Sequence, residues 1–130
     1  MRRVLAIDPG EARMGVAISD PTGLIARPLR VIAHGSRQTD ARRIAQLAAE
    51  HGAEEIVVGV ALDSEGEAGP QARRALRLIE ALRLVTDLPI EGWDESGSTQ
   101  TAISLSGRAD EVDAHAAAVI LQDYLDARRP

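Results

Sequence analysis

The stretch Val4–Asp20, V-L-A-I-D-P-G-E-A-R-M-G-V-A-I-S-D, leaves the backbone few choices. An apolar run, Val4–Ile7, ends on one carboxylate, Asp8, and a second apolar run, Val16–Ile18, follows after a short connection through Pro9-Gly10 and Gly15. Strands joined this closely pair antiparallel, because a parallel pair needs a crossover of a dozen or more residues. The two runs therefore read as a hairpin with an acid at the end of its first strand. Glycines tolerate backbone conformations that a side chain forbids. They also remove bulk beside Asp8, so that a large anionic ligand can approach the backbone there.

The rest of the chain extends this start into a sheet. Arg2–Asp8 and Met14–Asp20 form the hairpin, Pro21-Thr22-Gly23 is a turn signal, and Leu24–Ala33 reads as a third strand. Pro28 inside that strand marks an edge position or a bulge. The period then changes. Ile44, Leu47, Ala48 and His51 fall at helical spacing over Thr39–His51, with Thr39 or Asp40 as cap and Gly52 as the left-handed residue that ends the helix. Glu55–Val60, E-I-V-V-G-V, follows a helix and reads as a buried parallel strand. After the polar loop Ala61–Gly69, Pro70 opens a second helix at the position where its missing N–H costs nothing, with Leu76, Ile79, Leu82 and Val85 as its expected buried face. Ile90–Asp94 is a short strand finishing in Asp94-Glu95. Ser96–Gly107 suits a short helix or a loop. Asp110–Ala127 is a strong helix with Ala116, Ile120, Leu121 and Tyr124 on one side. A meander followed by alternating helix and strand gives an α/β fold, a five-stranded mixed sheet with helices on both faces. With 130 residues and no internal repeat or linker, one domain over 1–130 is expected.

Composition narrows the function classes. There is no cysteine, which removes disulfides and thiolate metal sites. No apolar stretch is long enough to span a bilayer and the N-terminus lacks the pattern of a signal peptide, so a cytoplasmic protein is expected. The net charge of −5 argues against a broad basic surface for nucleic acid and leaves room for a local one. All the basic residues are arginine, which suits bidentate phosphate contacts and is also what a GC-rich coding bias produces. Aromatic residues are too scarce for stacking to hold bases.

The chemistry lies in the acids. Asp8 ends the first strand, Asp94 and Glu95 the last, and Asp110 and Asp113 open the final helix. Open α/β sheets bind ligands at the carboxyl ends of their strands. If those ends are neighbours, the acids converge, and grouped carboxylates repel unless a cation or protons compensate. Each acid also has an ordinary structural role open to it. Asp8 before Pro-Gly suits a turn, Asp94 a strand end, and Asp110 or Asp113 a helix start, where the dipole favours negative charge. Arg13 can reach a phosphate or sit solvated in its turn. Arg73, Arg74 and Arg77 form a basic patch on the second helix, either a solvated face or a contact for a nucleic-acid backbone. His34, His51 and His115 are weaker candidates, and His115 is placed nearest the acids by its spacing from Asp113.

Four blocks resemble a known family: D-P-G-E-A-R-M-G-V-A-I-S-D (Asp8–Asp20), I-V-V-G-V-A-L-D-S-E-G-E-A-G-P-Q-A (Ile56–Ala72), W-D-E-S (Trp93–Ser96) and V-D-A-H-A-A-A-V-I-L-Q-D-Y-L (Val112–Leu125). In this order, and over nearly the whole chain, they look like the YqgF family of Holliday junction resolvase-like proteins. The resemblance implies an RNase H-like fold and a nuclease that matures pre-16S rRNA in ribosome biogenesis or cuts branched DNA. It implies Mg²⁺ or Mn²⁺ held by Asp8, Glu95 and Asp113, with Asp110 as a fourth acid, and those first three as the catalytic residues. Gly10, Arg13 and Gly15 then contact phosphate. Partners would be pre-rRNA or branched DNA and no membrane, with the protein a monomer or homodimer. Ser96 stands where the family carries Arg, so a member that binds RNA or an assembly partner without cutting is the alternative. The D-x-G-x-x-x-x-G pattern also occurs in actin-like ATPases, but 130 residues are too few for their two lobes.

Overall fold

The computed structural model describes residues 2–62, 65–94 and 109–128, with the backbone alone over 109–113. Glu95 and the segment Ser96–Gly107 lie outside the described residues. In chain order the elements are β1 (Val4–Pro9), β2 (Arg13–Ser19), β3 (Ala26–Ala33), α1 (Arg37–Glu50), β4 (Glu55–Val60), α2 (Pro70–Arg83), β5 (Ile90–Asp94) and α3 (Ala109–Arg128). The sheet runs β3-β2-β1-β4-β5. β1, β2 and β3 pair antiparallel, and β4 joins β1 and β5 in parallel. This is the five-stranded mixed sheet that the element order predicts.

Alternation along β1 divides the core between two faces. Leu5 and Ile7 pack with Ile44, Leu47, Leu78 and Leu82 of α1 and α2. Val4 and Ala6 pack with Ala117, Leu121 and Leu125 of α3. Helices therefore cover both faces. Around Ala117 the α3 layer sets small residues on small residues, with Ala6 and Ala17 opposite, which lets that part of the helix come close to the sheet. Each large side chain taken out of water contributes roughly 1.5–3 kcal/mol.

Pro28 sits on the edge strand β3 at an irregularity. It pairs with Ala17 while Arg30 pairs with Val16, leaving Leu29 as the extra residue of a bulge. Gly52 has φ of +67°. Around it Ala53 N donates to Ala48 O at 2.8 Å and Gly52 N to Ala49 O at 3.3 Å, the paired bonds of a Schellman ending.

Two expectations need correction. The first helix starts at Arg37, and its cap is Ser36, whose hydroxyl accepts from Thr39 N at 3.1 Å, rather than Thr39 or Asp40. Asp40 instead turns back into the preceding loop, accepting from Gly35 N at 2.9 Å and pairing with His34. On α2, Leu76 and Val85 are exposed. The buried stripe is Ala72, Ala75, Leu78, Ile79 and Leu82, because the helix lies against the sheet along its small residues, and Val85 falls beyond the C-cap Leu84.

The amino ends of the parallel strands are closed by polar contacts. Glu55, buried at the start of β4, accepts from the Tyr124 hydroxyl and from Arg128 Nη1, the latter at 2.8 Å. The same hydroxyl also bonds Glu91 at 2.8 Å. Burial first, then these two carboxylates, pushes the Tyr124 phenol well above its ordinary value. Trp93 meets the Tyr124 ring edge-on at 5.4 Å between centroids. Gln122 bonds Ala26 N at 2.9 Å and Leu24 O at 3.0 Å. The carboxyl-terminal half of α3 is thus fixed over the starts of β3, β4 and β5.

Candidate active site

That anchoring sets the direction of α3. Its carboxyl end lies over the amino ends of the parallel strands, so its amino end runs toward their carboxyl ends. From Tyr124 back to position 113 the helix rises about 16 Å, and from Val4 to Asp8 the strand rises about 13 Å. Asp8 and the first turn of α3 therefore fall near the same level of the sheet. Position 113 is one turn before Ala117, which packs on Ala6 and Ala17.

Asp8 is half-buried and pairs with Gly15 across the β1–β2 ladder. It continues the series Val4 and Ala6 that faces α3. Gly15, buried in β2, follows the same alternation, so the strand neighbour of Asp8 presents no side chain on that face. Arg13, exposed at the start of β2, belongs to this side too, since Met14 faces the opposite core. Gly10 has a reason of its own: a Cβ there would lie 2.4 Å from the carbonyl oxygen of Arg13. The tight β1–β2 turn therefore requires glycine whether or not a phosphate is present.

On the other side of β4, Trp93 comes level with Asp8, because Ile7 aligns with Val58 and Val58 with Gly92. Two strand spacings separate them, about 9.5 Å. Asp94 falls on the α1/α2 face of β5, away from Asp8, since Trp93 packs toward α3 and Gly92 lies against Val60 and Ile79. Of the four acids expected to hold a metal, only Asp8 has a described side chain. Glu95 is outside the described residues, and Asp110 and Asp113 are described as helix backbone. Among the described residues no three His, Asp or Glu side chains gather as a metal site.

His115 is exposed on α3, and His51 caps α1, its carbonyl accepting from Arg3 Nη1 at 3.0 Å. The patch of arginines divides. Arg73 bonds Ala68 O at 3.2 Å on the surface, while Arg74 and Arg77 meet Arg37 of α1, His34 and Asp40 around a cavity of about 130 Å³. Arg37 was not legible as part of a basic group. The available signal was its place directly after a capping serine, at the same helix end as Asp40.

A five-stranded mixed sheet of this order with helices on both faces is the RNase H-like arrangement. A solved structure of T. thermophilus RuvC in complex with Holliday junction substrate is similar over 98% of this chain and 96% of that chain, with a TM-score of 0.63 and 15% identity. The fowlpox virus Holliday junction resolvase matches over 96% and 99%, with a TM-score of 0.58 and 13% identity. At those identities the likeness is one of fold. Sequence carries the family: the model of RuvX, described as Holliday junction resolvase, matches residues 2–127. A protein of Desulforamulus reducens is 39% identical over 133 residues, covering 96% of this chain and 97% of its own length. One of Chloroflexus aggregans is 40% identical over 134 residues, covering 97% and 94%. Both bear the name "Putative pre-16S rRNA nuclease". The chain belongs to the RuvX family, the YqgF family that its four motif blocks resemble. Among the described residues no helix is long and apolar enough to cross a membrane.

Proposed function

We propose that this protein is a cytoplasmic endonuclease that hydrolyses phosphodiester bonds in structured nucleic acid with the help of a divalent cation, and that its substrate is the 5′ region of pre-16S rRNA. The observation that carries the reading is the lie of α3: anchored at its carboxyl end by Tyr124 and Gln122, it brings a first turn containing Asp110 and Asp113 to the sheet end where Asp8 stands. The relatives' names point to pre-16S rRNA and the family model's description to a Holliday junction, both structured nucleic acids.

The donor set fits the cation in kind. Asp8, Glu95, Asp113 and Asp110 offer only oxygen, the ligand that Mg²⁺ and Mn²⁺ prefer, and the chain has no cysteine to favour a softer metal. Asp8, half-buried beside Gly15, is held by its strand while the neighbouring position is left free of side chain. Glu95, Asp113 and Asp110 would complete the group. When bound, such a cation activates water and stabilises charge on the leaving oxygen. Arg13, on the same side of the hairpin, would bind a non-bridging phosphate oxygen and hold the backbone in line. Gly10 and Gly15 let that backbone approach the β1–β2 turn. In-line attack would leave a 5′-phosphate and a 3′-hydroxyl.

Cleavage of a pre-16S rRNA fragment and of a four-way DNA junction, wild type against Asp8→Asn, tests this. Loss of cutting in the variant with folding intact is expected, and equal activity sinks the proposal. Ser96, in place of the family's Arg, supports a second reading in which the protein binds RNA without cutting it. Calorimetry with Mn²⁺ separates the two, since the nuclease must bind the metal at millimolar concentration.

A further inference from the structure

We infer that the cavity between the β1–β2 turn, α1 and α2 is a second phosphate-binding site, which takes a backbone phosphate of the nucleic acid next to the one presented to Asp8. The inference rests on the nuclease reading for its ligand, though not for its geometry.

The cavity has a volume of about 130 Å³, well above the roughly 10–15 Å³ that admits one water. Met14 and Leu78 form its apolar floor, Pro9 and Gly10 one rim, and Arg37, Arg74 and Arg77 its charged wall. Three guanidiniums thus gather in a chain whose net charge is −5. Among the described residues Arg74 has one long contact, 3.8 Å, to the exposed Glu11. Arg37 and Arg77 make no ion pair or hydrogen bond among the described residues. Like charges brought together without partners are a cost to the fold, and an anion would relieve it.

The one carboxylate in the lining does not compete for the arginines. Asp40 is 1% exposed, with one oxygen on His34 Nδ1 and the other accepting from Gly35 N at 2.9 Å. The His34–Asp40 contact occupies Nδ1 and leaves Nε2 as the other hydrogen-bonding atom of the ring. The helices add to the field. α1 precedes β4 and α2 precedes β5, so both helices begin at the carboxyl end of the sheet. Arg37 is the first residue of α1, and Arg74 and Arg77 lie in the first two turns of α2. Of the two, α1 presents its positive end to the cavity, at Arg37, and that favours an anion here.

Position selects nucleic acid as the source of the phosphate. Pro9 and Gly10 follow Asp8 directly, so the cavity and Asp8 lie on opposite faces of one strand end, with only the turn between them. A strand that offers a phosphodiester to Asp8 and continues over that turn reaches the cavity with its next phosphates. A groove of about 340 Å³ between α1 and α2 shares Arg37 and Arg77 with the cavity and is lined further by Gln38, Arg42, Glu80 and Leu84.

The test uses the full chain in an Asp8→Asn background, to prevent cutting, and compares it with Arg37→Gln/Arg77→Gln added and with Arg83→Gln, which removes one charge on the last turn of α2, as a control away from the cavity. Both cavity arginines are exposed, so their replacement leaves the core intact. Binding of a four-way DNA junction and of a pre-16S rRNA fragment is followed by anisotropy over a range of salt. The double variant should bind roughly tenfold more weakly, with a salt slope shallower by about one, while Arg83→Gln leaves both unchanged. An unchanged slope in the double variant overturns the assignment to nucleic acid. Independently, orthophosphate should shift the His34 ring resonances in NMR spectra, and the double variant should abolish that shift. No shift in the starting protein overturns the site itself. If Asp8→Asn cuts as well as wild type while the arginine pair still governs binding, the metal-site reading fails and this one stands.

Discussion

The two ends of the sheet are built on opposite principles. At the amino ends of the parallel strands the chain uses its polar groups on itself. Arg3 donates to Ser19 O and His51 O, each at 3.0 Å, and the Ser19 hydroxyl accepts from Val4 N at 2.8 Å. Glu55 and Glu91 share Tyr124, and Asp20 ties the β2–β3 turn through Thr22, Leu24 and Ile25. At the carboxyl ends, Arg37 and Arg77 face a cavity without partners among the described residues, and the sequence Ala109–Asp113 brings three acids and no base. Saturation at one end holds α3 in place. Arg37 and Arg77 at the other are what an anionic ligand can use.

The largest effect that tests this contrast is the separation of activity from stability at Asp8. If the carboxyl end is kept for function, Asp8→Asn should lower the cleavage rate by roughly a thousandfold, the several kcal/mol of transition-state stabilisation that metal-assisted hydrolysis supplies. Its melting temperature should stay nearly level, because Asp8 is half-buried at a strand end and belongs to neither core cluster. A variant that melts markedly lower would make Asp8 a structural turn residue and erase the contrast. Leu121→Ala examines the other end of the argument. Leu121 is fully buried between α3 and the sheet, so its truncation should cost about 2–5 kcal/mol in urea unfolding. A smaller cost would mean that α3 is not held as firmly as its polar anchors suggest.

Tyr124→Phe is the converse of Asp8→Asn. The ring stays and the hydroxyl goes, leaving Glu55 with Arg128 alone and Glu91 without this donor. Loss of about 1–3 kcal/mol is expected, with cleavage by the folded protein unchanged. The same hydroxyl gives a pH signature. The phenol is raised above its ordinary 10.0 in the folded chain, so the unfolded chain loses its proton first and stability should fall as pH rises past that ordinary value. The Phe variant should not show that fall.

What the sequence reveals and conceals follows from the same physics. Glu55–Val60 and Ile90–Asp94 are legible to the residue because each is a short β run set between helical periodicities. The buried face of α2 is not. Hydropathy ranks Leu76 above Ala72 and Ala75, while close packing on the sheet prefers the alanines. The start of α1 is hidden for a related reason. Ser36, Thr39 and Asp40 all suit a cap, and the choice is made by the pairing of Asp40 with His34. In the candidate site, Asp8 stands out because a strand ends on it. The membership of Arg37 in the basic cavity arises only when α1 packs beside α2. Asp94, equally acidic and also at a strand end, falls on the wrong face for Asp8, a distinction that only the register of β5 on β4 reveals.

The smallest effect concerns the exposed turn at Asp20, and it asks whether saturation at the amino end reaches the surface. The Thr22 hydroxyl first, then the backbone N–H of Ile25, lowers the Asp20 carboxyl from 3.8 to about 2. A carboxylate whose folded value lies below its unfolded one adds stability above the unfolded value and loses it as pH falls through the folded value. The contribution of Asp20 should therefore be complete above about pH 5 and fade down to about pH 2. Thr22→Val removes the largest cause, so its carboxyl should return toward 3.8 and its acid loss of stability should be shallower. Urea midpoints for the two proteins across that range make the comparison. Equal slopes would mean that the hydroxyl bond does not persist in solution, and that the closed end of the molecule stops at its buried and half-buried groups, Glu55, Tyr124, Arg3 and Ser19 among them.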